Sequence, residues 1–125
     1  MPSSRRGFTL IEILLVMLVL AVLASIAIGR YRDAKARGYK ANMVSDLGEL
    51  RIAQEGYWAE HQSYSTDTTQ LDWHATSLVS VSITSTNLQA GFDAQATHLA
   101  LPGVVCKMYV GRATNGRPSG EVDCQ

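Results

Sequence analysis

Three residues near the start of the chain, Gly7, Phe8 and Glu12, have types and a spacing that could do chemistry together. They stand in Gly7–Phe8–Thr9–Leu10–Ile11–Glu12, which opens the most apolar segment of the protein. A cut between Gly7 and Phe8 would expose a new α-amine on Phe8. Glu12 lies one helical turn further on, so its carboxylate can meet that amine or the amine of a neighbouring copy. The amine needs such a partner, because the helix dipole already makes that end positive. The carboxylate needs one as well: an intramembrane charge costs about 2.5–3.5 kcal/mol at mid-bilayer and less near the interface.

The other reactive side chains point to less. Cys106 and Cys124 are the only cysteines, and in an exported domain a disulfide between them is the default. A metal site would need more ligands, and His61, His74 and His98 are scattered without a C-x-x-C or H-x-x-x-H partner. No Gly-rich phosphate loop or G-x-S-x-G is present, and Ser80, Asp93 and His98 are scattered as such residues are in any chain. No enzyme, metal or cofactor is expected. Lys107, Arg112 and Arg117 form a small basic patch, which reads as solvated charge. The net charge of zero supplies no global field for nucleic acid, so a DNA-capturing module is unsupported.

The elements that must position Glu12 are plain. From Phe8 the apolar run lasts about 21 residues with one charge, about 31 Å as a helix and close to the thickness of bilayer hydrocarbon. From Arg30 onward the sequence is that of an ordinary soluble chain, and its 125 residues suggest one domain. Three readings of the amino terminus compete. A cleaved secretory signal would use Arg5 and Arg6 with Val22–Leu23–Ala24 as the cleavage site. A twin-arginine signal would use Ser4–Arg5–Arg6–Gly7–Phe8. A third signal is cut before the apolar segment and leaves it on the mature protein. Only the third gives Glu12 a task.

Arg6–Gly7–Phe8–Thr9–Leu10–Ile11–Glu12, followed by the apolar run, resembles the prepilin signal of type IV pilins and the related pseudopilins. The resemblance implies a membrane prepilin peptidase that cuts between Gly7 and Phe8 and methylates the Phe8 amine. It also implies that Glu12 guides each subunit into a growing filament by pairing with a neighbour's amino terminus. Two features depart from the pattern. Many pilins have a proline where this chain has Gly29, although glycine too softens a helix, by roughly 1 kcal/mol against alanine. The cations Arg30, Arg32, Lys35 and Arg37 outnumber Arg5 and Arg6, against the positive-inside expectation for a leader in the cytoplasm.

Beyond Arg30 the helix is expected to continue to about Gln62. Met43, Leu47, Leu50, Gln54 and Tyr57 advance by threes and fours, and Val44, Ala53 and Trp58 widen that stripe. Lys40, Asp46, Glu49, Arg51, Glu55 and Glu60 are assigned to the opposite face, with Arg51 and Glu55 spaced to pair. Gly38, Gly48 and Gly56 are expected to admit something packed closely on the helix. A loop over Ser63–Ala75 places Trp73 at the edge of the core. Alternation predicts strands over Leu78–Thr84, Phe92–His98 and Val104–Val110, with turns at Asn87–Gly91 and Leu101–Gly103. The polar segment from Arg112 to Gln125 reads as a loop, pinned to the third strand if Cys106 pairs with Cys124.

The fold class is therefore α+β, pilin-like: a long amino-terminal helix packed on a small antiparallel sheet of about three to four strands. The expected divisions are a leader over 1–7, a transmembrane or filament-core helix over 8–29 and an amphipathic continuation over 30–62. The loop, sheet and disulfide-bounded end over 63–125 form one headgroup with 37–62. The family implies a structural subunit that polymerises with itself through its helix. Its further partners would be the peptidase, the pilus assembly machinery of the inner membrane and, before assembly, the membrane. The precursor would lie in the inner membrane and the product in a pilus on the cell surface. The alternative is a minor pilin or a type II secretion pseudopilin; major pseudopilins often hold calcium in place of a cysteine bridge. Amino-terminal sequencing of the mature protein is expected to start at Phe8, and Gly7→Asp is expected to leave the precursor uncut. A start at Ser25 would instead support the secretory signal.

Overall fold

The computed structural model describes residues 7–111 and 118–125. Arg5 and Arg6 of the leader, and Arg112 and Arg117 of the basic patch, lie outside the described residues. The chain divides into two units, Met1–Lys35 and Ala36–Gln125. One helix, α1 (Leu10–His61), contributes to both.

In the first unit every described residue from Gly7 to Lys35 is exposed. Leu10, Ile11, Leu14, Leu15, Met17 and Leu18 cover adjacent faces of the helix, so no polar side remains to face water. By length and composition this is a helix able to cross a membrane. The helix continues unbroken through Gly29.

In the second unit α1 is amphipathic. Met43, Leu47, Leu50 and Gln54 are fully buried, and Tyr57 is half-buried, as the stripe requires. The sheet is an antiparallel meander in the order β1 (Val79–Thr84), β2 (Gly91–His98), β3 (Val105–Gly111), β4 (Val122–Cys124). Its inward residues include Ile83, Ala94 and Met108, which stand side by side across three strands. They join Met43, Leu47, Leu50, Phe92, Leu71 and Trp73 in one hydrophobic cluster. The small side chains of Ala94 and Ala96, both fully buried, keep the middle of β2 low beneath its larger neighbours. The β2–β3 pair ends where Gly91 faces Gly111; a Cβ on Gly91 would strike the Val110 carbonyl, so only glycine fits there.

Two buried polar groups show how the intervening segment is held. Gln54, the polar member of the stripe, accepts the Ser65 N–H through Oε1 at 2.9 Å and donates from Nε2 to the Ser65 carbonyl. Asp46 corrects the sequence expectation. It is not on the solvated face but only 2% exposed, and it accepts the Thr76 N–H at 2.8 Å and the Thr76 hydroxyl at 2.7 Å. Its helical neighbours Met43 and Leu50, three before and four after, draw it to the margin of the buried stripe. Between these clamps lies a 3-10 turn, Thr68–Gln70, capped by Asp67. The Asp67 carboxyl is held below its usual range by the Thr69 hydroxyl and N–H.

Other expectations are refined. The stripe is narrower than expected at Val44 and Trp58, which stay 39% and 37% exposed. A Cβ added at Gly38, Gly48 or Gly56 would meet nothing within 4 Å, so these glycines admit no close neighbour. The carboxyl-terminal segment is not a loop throughout, since it closes as β4 against β3. Cys106 and Cys124 are register partners and are joined by a disulfide. Backbone bonds between Val105 and Gln125, at 2.8 and 3.0 Å, extend that pairing to the last residue. The Arg51–Glu55 pair forms as expected, at 3.0 Å on the surface.

Removing the Asp46 carboxylate leaves two Thr76 donors unpaired. Asp46→Ala is expected to lower unfolding stability by about 2–3 kcal/mol, read by urea denaturation with tryptophan fluorescence. A loss below about 0.5 kcal/mol would show the clamp to be incidental.

Candidate functional site

Gly7, Phe8 and Thr9 precede the helix and are exposed, Phe8 to 84%. The Gly7–Phe8 peptide bond thus lies in non-helical chain, where a peptidase can reach its carbonyl. Glu12 lies in the first turn of α1, where a carboxylate offsets the positive end of the helix dipole.

The structure adds a residue that the spacing argument missed. Thr9 and Glu12 cap one another. The Thr9 N–H donates to Glu12 Oε2 at 3.0 Å and its hydroxyl to the same oxygen at 3.2 Å, while the Glu12 N–H reaches Thr9 Oγ1 at 3.3 Å. This is the reciprocal capping box that a Thr-x-x-Glu sequence ahead of an apolar run encodes. The signal was present in Thr9–Leu10–Ile11–Glu12. It competes with the reading of Glu12 as the partner of an α-amine, its own chain's or a neighbour's. Capping aims the carboxylate at the helix entrance, next to Phe8. Both Thr9 bonds use Oε2, and a carboxylate has about four acceptor sites, so an ammonium can be received without breaking the cap.

The remaining groups are not drawn into a site. Ser80 is exposed beside Thr97, whereas His98 is buried, stacks on Tyr39 with ring centroids 4.4 Å apart, and accepts the Ala100 N–H through Nδ1 at 3.0 Å. Asp93 lies five residues back along β2, about 17 Å away along the strand, so these three form no triad. Lys107 is exposed on β3. Among the described residues no group of three or more His, Cys, Asp and Glu is placed to hold a metal ion.

The amino-terminal stretch has known counterparts. Residues 2–28 match the family described as the prokaryotic N-terminal methylation motif. The chain is 40% identical over 55 residues to a type IV major fimbrial protein, FimA, of Dichelobacter nodosus, covering 44% of this chain and 35% of that protein. It is 43% identical over 53 residues to a "Probable minor fimbrial protein" of the same organism, covering 42% of this chain and 33% of that one. To the type II secretion system core protein G of Klebsiella michiganensis it is 33% identical over 64 residues, covering 51% and 45% of the two chains. The chain thus spans about a third to under a half of the length of these relatives. Over the aligned parts the chain is thus similar both to type IV fimbrial proteins and to a type II secretion core protein.

Loss of the Thr9 hydroxyl should loosen the first turn. Thr9→Ala is expected to speed amide exchange at Glu12 and Ile13 about fivefold in detergent micelles, equivalent to about 1 kcal/mol, and Thr9→Ser to leave it unchanged. Equal exchange in all three proteins would show that the cap is not formed.

Proposed function

We propose that this chain is a structural subunit of a type IV pilus. A prepilin peptidase cuts between Gly7 and Phe8 and methylates the Phe8 amine. The helix over 8–29 leaves the bilayer for the filament core, and residues 37–125 form the outer headgroup. Its partners are copies of itself, the peptidase and the assembly machinery of the inner membrane. The observation that carries the proposal is a capped carboxylate at the entrance of a helix that is apolar on every side and wholly exposed.

The two environments of that helix are alike in polarity, so leaving lipid for neighbouring helices changes the apolar free energy little. What differs is Glu12. In the filament its carboxylate accepts from the amine of a neighbour, which fixes the stagger between copies; register-setting is the best-attested use of a buried ionic group. Gly29 softens the helix where other pilins carry proline. The match to core protein G keeps the pseudopilin reading alive. The Cys106–Cys124 bridge favours a pilin, because it closes the carboxyl-terminal region by covalent means.

Glu12→Val is expected to yield a processed, membrane-resident protein whose surface filaments, counted by electron microscopy after shearing, fall at least tenfold. An uncompensated buried amine costs about 3–5 kcal/mol, more than enough for such a loss. Normal filament numbers from this variant would remove the role assigned to the carboxylate.

A further inference from the structure

The second unit carries an open groove of about 620 Å³, between the polar face of α1 and the clamped segment around Trp73. Ile52, Tyr57 and Trp73 supply its apolar surface, and Ile52 is 70% exposed. Glu49, Glu60 and Asp72 rim it, and among the described residues that line it none is Lys or Arg. Trp73 packs its indole into the wall, with an N–H that is buried and has no acceptor among the described residues. An acid-rimmed apolar groove suits an aromatic side chain flanked by cations. The same chain holds such a segment. Tyr31 is 62% exposed between Arg30 and Arg32, with Lys35 and Arg37 following and Asp33 the one acid among them.

We propose that the groove seats the Arg30–Arg37 collar of a second copy of this chain, Tyr31 entering between Ile52 and Trp73 while the cations meet Glu49, Glu60 and Asp72. Side chains on one helix meet only at separations of three or four, and Arg30 and Glu49 are far more distant in sequence than that. The pairing is therefore between copies. Tyrosine and arginine are the side chains that most often anchor interfaces, the first by apolar area with a polar tip and the second by bidentate bonding to carboxylates. The acid rim repels nucleic acid and selects a cationic partner, and the collar is the densest cationic run among the described residues. The collar also gains a task that membrane orientation does not give it.

This inference rests on the filament reading, and the test separates the two. Tyr31→Cys with Ile52→Cys is co-expressed with the wild-type chain so that filaments form, and these are treated with a bis-maleimide. The native cysteines are held in their disulfide and do not react. The expected result is a ladder of covalent multimers, at least about fivefold stronger than for Tyr31→Cys with Ser82→Cys on the exposed face of β1. Arg30→Glu with Arg32→Glu is expected to cut filament yield about fivefold, with recovery on adding Glu49→Arg and Glu60→Arg. Filaments without the Tyr31–Ile52 ladder would overturn the docking and leave the filament standing. A ladder from Tyr31→Cys with Glu121→Cys in its place would seat the collar on the carboxyl-terminal strand and overturn it too. A wild-type chain that forms no filaments would sink the filament reading itself, and the docking with it.

Discussion

A helix that is apolar on every side and exposed along its whole apolar length has to be covered. From Leu10 to Ile28 the large side chains stay about half or more exposed. Each such side chain gains roughly 1.5–3 kcal/mol when taken from water, so the total far exceeds the stability of any small domain. Lipid and other helices are the two surroundings that could take it up. Between those two states the hydrophobic effect makes little distinction, because lipid tails are as apolar as leucine. Specificity has to come from the few polar groups present. At the entrance there is one acid, Glu12, and Thr9 already holds its direction. On the filament reading, a dominant apolar force leaves the register of neighbouring helices to that carboxylate.

The headgroup solves a different problem. Few residues form its core, and one face of α1 supplies Met43, Leu47 and Leu50 of it. Cores of this size are marginal, and the chain adds fastenings. The Cys106–Cys124 bridge closes a span of 18 residues, worth about 3 kcal/mol in the chain-entropy account. Gln54 and Asp46 fasten the segment from Ser65 to Thr76 at its two ends, and Leu71 and Trp73 drop into the core between them. The wall of the groove is part of this fastened segment. It is consequently pre-shaped, so a partner entering it need not order a loop.

How much was legible in the sequence follows from how local each signal is. The stripe from Met43 to Tyr57 and the alternation in β1, β2 and β3 are short-range patterns, and each strand lies within one residue of its expected bounds. β4 has three residues and no room for an alternating pattern; only its pairing with Cys106, Lys107 and Met108 of β3 makes it a strand. Asp46 was misplaced because a carboxylate is normally solvated, and nothing in the sequence says that Thr76, thirty residues on, brings both of its donors to it. Glycines 38, 48 and 56 were over-read, since a missing side chain permits approach but does not cause it. At the site, the four-residue spacing of Phe8 and Glu12 is visible in the sequence, but the helix begins only at Leu10, so Phe8 lies outside it. Thr9 was equally local and was passed over because one partner had already been found for Glu12.

The neutral total charge conceals a segregated one. Arg30, Arg32, Lys35 and Arg37 stand together just beyond the apolar helix, while the acids Glu49, Glu60 and Asp72 gather on the headgroup groove. In a membrane, cations at that position reach lipid phosphates by extending along their own stems. A subunit that leaves the bilayer gives up those phosphates. The apolar helix loses little in the exchange, but the cations of the collar would lose lipid phosphate as a partner. Assembly from a bilayer thus demands a second anionic surface wherever the first is abandoned. On the filament reading, the acid groove of a neighbouring copy is the surface on this chain that meets that demand, and it couples the choice of partner made at Glu12 to one made again at the headgroup.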